Sequence, residues 1–436
     1  METNSKSNVA FLWDESFLWG LMAYKALKSN GLSFKLIRSK DIKNGQLKNY
    51  KMLFVPGGWA SNKLKTLDGD CIGKIKQFVS NGGSYLGFCG GAGLATLEGI
   101  GLLNIKRKPT KERVPSFSGR ICLNINEHPI WKGMLTSSLV THHLSLIFNA
   151  WWPSQFSIED KSIKILATYG DALPDSFSSD LNVGDVEANG GWSELEEIYQ
   201  INLNSKRLLN EPAVVEGSVG KGKIILSLIH FDTPDDINGA MVLRNLWEYL
   251  VQDAEFKKSE VRNPNLLTEP GAWNSELISE IESAVTDLII LGMRNFLWFW
   301  RNSMLLQWRR GVRGLEYCTL YVMIKEIAET LKTQNTEIDT EKSLRKIKEL
   351  LIPFMEKAKR LLILERFAIQ SGHITYERCD DPEIQKIRTE LFSSSKRHGG
   401  LFKKLIDEID NLLYLLITRE EGKGGLPLSR RQMDIL

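Results

Sequence analysis

Two short stretches hold residue types that can do nucleophilic chemistry. Gly87-Phe88-Cys89-Gly90-Gly91 ends the apolar run 84–88, and His230-Phe231-Asp232 follows the apolar run 224–229. A cysteine on a sharp strand-to-helix turn projects above a sheet, and small neighbours make such a turn sterically accessible. The helix that follows offers free N–H groups and a positive dipole end, which favour a thiolate. A thiol nucleophile also needs a base to take its proton and return it to the leaving group. That imidazole in turn needs an acceptor to hold its tautomer. His230 and Asp232 supply these two groups if the chain turns directly after its strand. A third stretch, Pro56-Gly57-Gly58-Trp59, closes the apolar run 52–55. Backbone N–H groups of Gly58 or Trp59, together with Gly90, would then form an oxyanion hole. Gly57, Trp59 and Trp192 are the candidate substrate-binding residues.

These groups converge only if their strands are parallel neighbours. The first 250 residues or so read that way. Strand-like runs at 9–13, 34–37, 52–55 and 84–88 alternate with helix-like stretches at 15–29 and around Ile72, Ile75, Phe78 and Val79, which end at Asn30-Gly31 and Asn81-Gly82-Gly83. Units of this kind make a mostly parallel sheet covered on both faces, with sites at the carboxyl ends of the strands. From about 110 to 235 the rhythm changes. Runs 121–125, 163–167 and 212–216 read as strands, and 212–229 reads as a hairpin around a glycine-containing loop. The stretch 170–191, rich in Asp, Ser, Asn and Gly, reads as a long surface loop, and 238–251 as a closing helix.

The stretches "FVPGGW", "FVSNGGSYLGFCGGAG", "HPIWKGM" and "VGKGKIILSLIHFD", in this order, resemble the class I glutamine amidotransferase-like superfamily. Within it the chain is most similar to the glutaminase-like N-terminal domain of biotin–protein ligases, over about residues 8–250. The resemblance implies a flavodoxin-like α/β fold with a nucleophile elbow. It puts Cys89, His230 and Asp232 on the positions of a Cys–His–acid triad, and Gly58 and Gly90 on the oxyanion-loop positions. Ala92 and Gly93 stand where the amidotransferases usually carry His and Gln, and Asp232 stands where they usually carry Glu. The implied chemistry is cysteine-dependent amide hydrolysis or amidotransferase-like acyl transfer through a thioester, on a small amide-containing substrate and without a cofactor. The alternative is a non-catalytic module of the same fold that binds a metabolite or partner protein and regulates.

Domain 1–252 is followed by a polar, proline-containing linker at 253–271 and by a second domain, 272–418, expected to be an all-α helical bundle. The closing stretch 419–436 reads as a flexible tail. Helices are expected over 274–310 and 314–332, with 288–300 as the centre of the bundle. Two apolar stripes follow, one through Leu344, Ile347, Leu351, Phe354, Ala358 and Leu361, the other through Leu405, Ile409, Leu412 and Leu416. Pro353 predicts a kink or break in the first. Residues 272–436 carry no glycine- and arginine-rich adenylate loop of the biotin ligase type, so no ligase chemistry is expected. The Trp- and Arg-rich segment 294–310 is a candidate surface for a protein partner.

The 436 residues carry Lys+Arg 56 against Asp+Glu 53, a net charge of +3. Such balance gives no electrostatic signature for nucleic acid, and no apolar run is long enough to span a membrane. Five cysteines, at 71, 89, 122, 318 and 379, form no C-x-x-C pair. A disulfide scaffold and a cysteine zinc site are therefore not expected, and a reduced, cytoplasmic setting is. His128 and the pair His142-His143 lack the spacing of metal ligands, so no metal is expected.

Overall fold

The computed structural model describes residues 8–134, 145–251, 272–333, 340–372, 379–393 and 398–423. Its first four strands are β1 (Val9–Leu12), β2 (Lys35–Ile37), β3 (Met52–Val55) and β4 (Ser84–Phe88). β1, β3 and β4 are buried along their whole length, which is why they read as continuous apolar runs without alternation. Then come β5 (Ile105–Arg107), β6 (Phe117–Ile125), β7 (Ser145–Trp151), β8 (Phe156–Ile158), β9 (Lys164–Ala172), β10 (Phe177–Ser178) and β11 (Leu181–Asn182). β12 (Pro212–Val219) and β13 (Gly222–Ser227) form the expected hairpin, joined by a two-residue Gly-Lys turn.

A central sheet runs in the order β11-β10-β6-β9-β12-β13-β4-β3-β1-β2, with β7 paired to β6. The half made of β2, β1, β3, β4 and β13 is parallel. The carboxyl ends of β1, β3, β4 and β13 therefore lie on one edge, and all three chemistry-bearing stretches leave the sheet there. The other half is antiparallel and supplies the wall beside that edge. The stretch expected as a long loop at 170–191 is instead structured: it holds the end of β9, the short pair β10 and β11, and a helix, Val183–Asn189. Asn182 caps this helix by accepting from Asp185 N, so its polar residues are turn and cap chemistry, not a sign of missing structure.

The second half contains the helices Ala272–Arg294, Gly314–Thr333, Glu341–Gln370, Pro382–Phe392 and Gly400–Lys423. The two apolar stripes are buried as their spacing requires. One helical expectation fails. The first helix stops at Arg294, and Trp298–Trp300 and Leu306–Trp308 pair as an antiparallel ribbon, β14 and β15. Phe296 takes a left-handed φ of 55°, and Asn302 Oδ1 accepts from Met304 N at 2.8 Å and Leu305 N at 2.9 Å to close the turn. Aromatic residues suit a pleated ribbon as well as a helix, so the apolar run did not distinguish them. Pro353 does not end its helix, which continues through it. Pro353 lies on the exposed face of the helix. The expected linker at 253–271 and the pair His142-His143 lie outside the described residues. The last helix continues to Lys423, past the expected start of the tail.

The two halves pack closely. Trp13 Nε1 donates to Asp410 Oδ1 at 2.8 Å, and Arg38 Nη2 reaches Asp410 Oδ2 at 3.0 Å. Lys403 Nζ lies 3.0 Å from Glu15 Oε1. On the ribbon, Trp308 stacks on Trp152 with ring centroids 4.8 Å apart, and Gln307 Oε1 accepts from Ser118 Oγ at 2.9 Å.

Candidate active site

Cys89 sits between β4 and the short helix Gly90–Ala95 with φ 47° and ψ −104°. A side chain held in that region costs on the order of 1–3 kcal/mol and persists only where its surroundings over-determine it. They do so here. Cys89 N donates to Ser227 O at 2.8 Å, tying the turn to β13, and Gly93 N donates to Cys89 O at 2.9 Å. Gly90 packs directly on the Gly57-Gly58 loop: a Cβ at Gly90 would lie 1.9 Å from Gly58 O. Gly58 has φ +114°, and a Cβ there would meet Glu15 O at 2.6 Å. Both positions thus exclude a side chain, and their close approach brings the two expected oxyanion loops together. Gly57 lies on the histidine side, where a Cβ would be 3.1 Å from His230 Cε1.

His230 and Asp232 leave β13 in a turn fixed from β7. His230 N donates to Asn149 O at 3.0 Å, and Trp151 Nε1 donates to Thr233 Oγ1 at 3.0 Å. Thr233 Oγ1 in turn donates to His230 O at 2.8 Å. Asp232 does not cap the following helix, Ile237–Val251; Asp236 does, accepting from Gly239 N at 2.9 Å. Asp232 is free to face the ring, and His230 Nδ1 lies 2.9 Å from Asp232 Oδ1, both side chains fully buried. Nδ1–H is therefore the donor to the carboxylate, which turns Nε2 toward Cys89. Nε2 is buried and makes no hydrogen bond of standard geometry, and the neighbouring cysteine acts on the ring's charge. Burial opposes a charge on His230, but the Asp232 carboxylate, its hydrogen bond and Cys89 together raise the imidazole to about 10. The Trp19 ring stands 4.8 Å from the imidazole, tilted by 30°, a position that also suits a cation.

Cys89 itself is half-buried, whereas Cys71, Cys318 and Cys379 are buried. Burial pushes the Cys318 thiol up to about 12. Trp59 precedes the helix Ala60–Thr66 and is half-buried beside the glycines. Trp192 opens the helix Trp192–Tyr199, and its indole donates to Glu187 Oε1 at 2.8 Å rather than toward the cysteine turn. His128 packs as a core histidine, with Nε2 3.4 Å from Glu216 Oε2 and its ring against Tyr249.

The structure adds residues that no motif announces. Lys63, fully buried, donates to Asp14 O at 3.0 Å and bonds Ser16 Oγ. Its Cε lies 3.4 Å from where a Gly58 Cβ would be. Burial lowers the ammonium to about 8, against the pull of Glu15 and Asp14. Lys63 thereby ties the loop after β1 to the back of the glycine loop. Nothing in sequence separates it from Lys65 of the same short helix, and Trp19 likewise reads as an ordinary apolar helix residue.

Residues 30–98, which run from just before β2 through the cysteine turn, match the family model described as biotin-protein ligase, N terminal. No curated protein matches the chain. Among solved structures, a glutamine amidotransferase aligns at 17% identity over 56% of this chain and 98% of its own, with a TM-score of 0.34. A protein from Thermoplasma acidophilum, described as part of a GMP synthase, aligns at 14% identity over 54% of this chain and 90% of its own, with a TM-score of 0.35. A β-galactosidase from Bacillus circulans sp. alkalophilus aligns at 14% identity over 61% of this chain and 33% of its own, with a TM-score of 0.36. The stretch that carries the glycine loop and the cysteine turn is thus similar to the N-terminal part of biotin-protein ligases.

Proposed function

We propose that the chain is a cysteine-dependent acyl-transfer enzyme acting on a carbon–nitrogen amide bond, with Cys89 as nucleophile, His230 as acid and base, and Asp232 as the group that orients and charges the imidazole. The observation that carries this reading is the strained cysteine turn, Cys89 at φ 47°, set beside a buried histidine whose far nitrogen is held by a carboxylate at 2.9 Å. Backbone strain of this kind concentrates where a side chain must be presented. The strand order β2-β1-β3-β4 is also the order that a flavodoxin-like fold requires.

In the first half-reaction the Cys89 sulfur, its proton held on His230 Nε2, attacks the carbonyl carbon as a thiolate. The oxyanion would be met by N–H groups at Gly58 or Trp59 and at Gly90. As the tetrahedral intermediate collapses, the C–N bond breaks and Nε2–H protonates the departing amine or ammonia, leaving a thioester on Cys89. In the second, Nε2 takes a proton from water, the hydroxide oxygen attacks the thioester carbonyl, and the C–S bond breaks. Nε2 keeps the proton taken from water, so the imidazolium–thiolate pair is restored as the acid leaves. Asp232 accepts from Nδ1–H throughout and orients the ring.

The test is chemical labelling. With iodoacetamide limiting, Cys89 is expected to alkylate ahead of Cys71, Cys122, Cys318 and Cys379, and His230→Ala to suppress that preference. Equal labelling of the accessible thiols in both proteins would sink the proposal.

A further inference from the structure

One wall of the cysteine turn is cationic, and the acyl-transfer steps above make no use of it. Gly93 lies one helical turn beyond Cys89, and a Cβ there would meet Arg107 Nη1 at 3.0 Å. The Arg107 guanidinium therefore occupies the space that a side chain at 93 would fill. Arg107 ends β5, and Arg113 follows one short turn later. Arg113 Nη1 donates to Ser154 Oγ at 2.9 Å and Nη2 to Thr110 Oγ1 at 3.3 Å, both neutral hydroxyls. The Nε atoms of both arginines are buried without a hydrogen-bond partner. Arg107 has only a long approach to a carboxylate, with Nε 4.0 Å from Glu98 Oε2. The two guanidiniums repel each other, and Arg113 is close enough to Cys89 to feel its charge. Tyr169 of β9 is fully buried, its hydroxyl has no partner, and it too is within electrostatic reach of Cys89.

Buried donors left unpaired, two of them on like charges, are costly unless an anion meets them. A carboxylate or phosphate does so well, because the planar guanidinium offers parallel N–H groups to its oxygens. We propose that Arg107, Arg113 and the Tyr169 hydroxyl receive a second, acidic group of the compound whose carbonyl Cys89 attacks. The substrate class is then a net anionic amide, carrying a carboxylate or phosphate beyond the reacting bond. This inference rests on the acyl-transfer reading, but its test separates the two.

The full-length chain is alkylated in parallel with iodoacetate and iodoacetamide, and the Cys89 peptide is quantified by mass spectrometry. The iodoacetate-to-iodoacetamide rate ratio at Cys89 is expected to exceed that of a small free thiol by roughly tenfold, the scale of one charge-assisted hydrogen bond. R113Q and R107Q should return the ratio to the free-thiol value; because both reagents meet the same thiolate, any change in its reactivity cancels in that ratio. R113K, which keeps a charge but not the fork, should retain part of the preference. Inorganic phosphate and acetate are then compared as competitors of iodoacetate. Slowing by phosphate alone assigns a phosphate, and slowing by acetate a carboxylate; slowing by neither overturns the site. A wild-type ratio equal to that of the free thiol, or one unchanged in both glutamine variants, also overturns it. If His230-dependent iodoacetamide labelling survives that result, the triad stands without an anion site. If Cys89 lags the other thiols with both reagents, the acyl-transfer reading itself has failed and takes the inference with it.

Discussion

Asp232→Asn isolates the electrostatic part of the candidate site. The amide oxygen of Asn can still accept from Nδ1–H at the position where Asp232 Oδ1 now sits, 2.9 Å away. Shape and hydrogen bond are kept and the negative charge is removed. In the wild type, burial disfavours the imidazolium, yet the carboxylate and Cys89 raise His230 from 6.5 to about 10. Each pKa unit corresponds to about 1.4 kcal/mol, so the carboxylate must supply several kcal/mol to outweigh the burial of the ring. Without it, burial dominates and pushes the imidazole below its ordinary value. At neutral pH the ring then no longer holds the thiol proton, and the imidazolium–thiolate pair is lost. Losing even two pKa units of that preference lowers the reactive fraction about 100-fold. The assay is the rate of Cys89 alkylation by iodoacetamide across pH, read by intact mass. The wild-type rate should be nearly flat through the neutral range and change only near the His230 value. The D232N rate should be about 100-fold lower at neutral pH and climb roughly tenfold per pH unit. A D232N protein that melts like the wild type and labels at the wild-type rate, with the same flat profile, would refute the electrostatic argument.

Other consequences are equally open to measurement. Gly90→Ala forces a Cβ to within 1.9 Å of Gly58 O; it should cost about 1–3 kcal/mol in urea unfolding and slow Cys89 labelling, whereas an unchanged midpoint would mean the two loops are not packed together. Asp410 carries the contact to Trp13 and Arg38, and burial raises its carboxyl from 3.8 to about 7. An acid with a raised folded pKa is stabilising while protonated. The stability it contributes is therefore present at low pH and lost as pH rises from about 4 to about 7, by on the order of a few kcal/mol. Asp410→Asn should flatten that part of the urea-midpoint profile, and an identical slope in wild type and variant would remove Asp410 from the account.

Much of the candidate site was legible because its residues sit directly beside strand ends. The runs ending at Val55, Phe88 and Ile229 are apolar enough to be buried on both faces, and glycines or a His-x-Asp stretch follow each one. What stayed illegible is instructive. The run at 298–308 satisfies a helix and a ribbon equally well in composition, and only the turn at Phe296 and the cap at Asn302 choose between them. The stretch 170–191 reads as a surface loop because the Asp, Ser, Asn and Gly residues that cap and turn its short elements are the same types that fill loops.

By itself, the sequence determined the alternation of buried strands and amphipathic helices, the cysteine turn, the glycine loop and the histidine–acid pair. These are local: they depend on side-chain volume, backbone permissiveness and spacing along one segment. The tertiary structure alone decided which strands became neighbours, and hence that Cys89, His230 and the Gly57-Gly58 loop share one edge. It also decided the burial of Lys63, the Trp19 ring beside His230, and the packing of the Arg107 guanidinium against Gly93. The reason is physical. A charged or aromatic side chain acquires its role from desolvation and from groups distant along the chain, and neither is encoded in its neighbours in sequence.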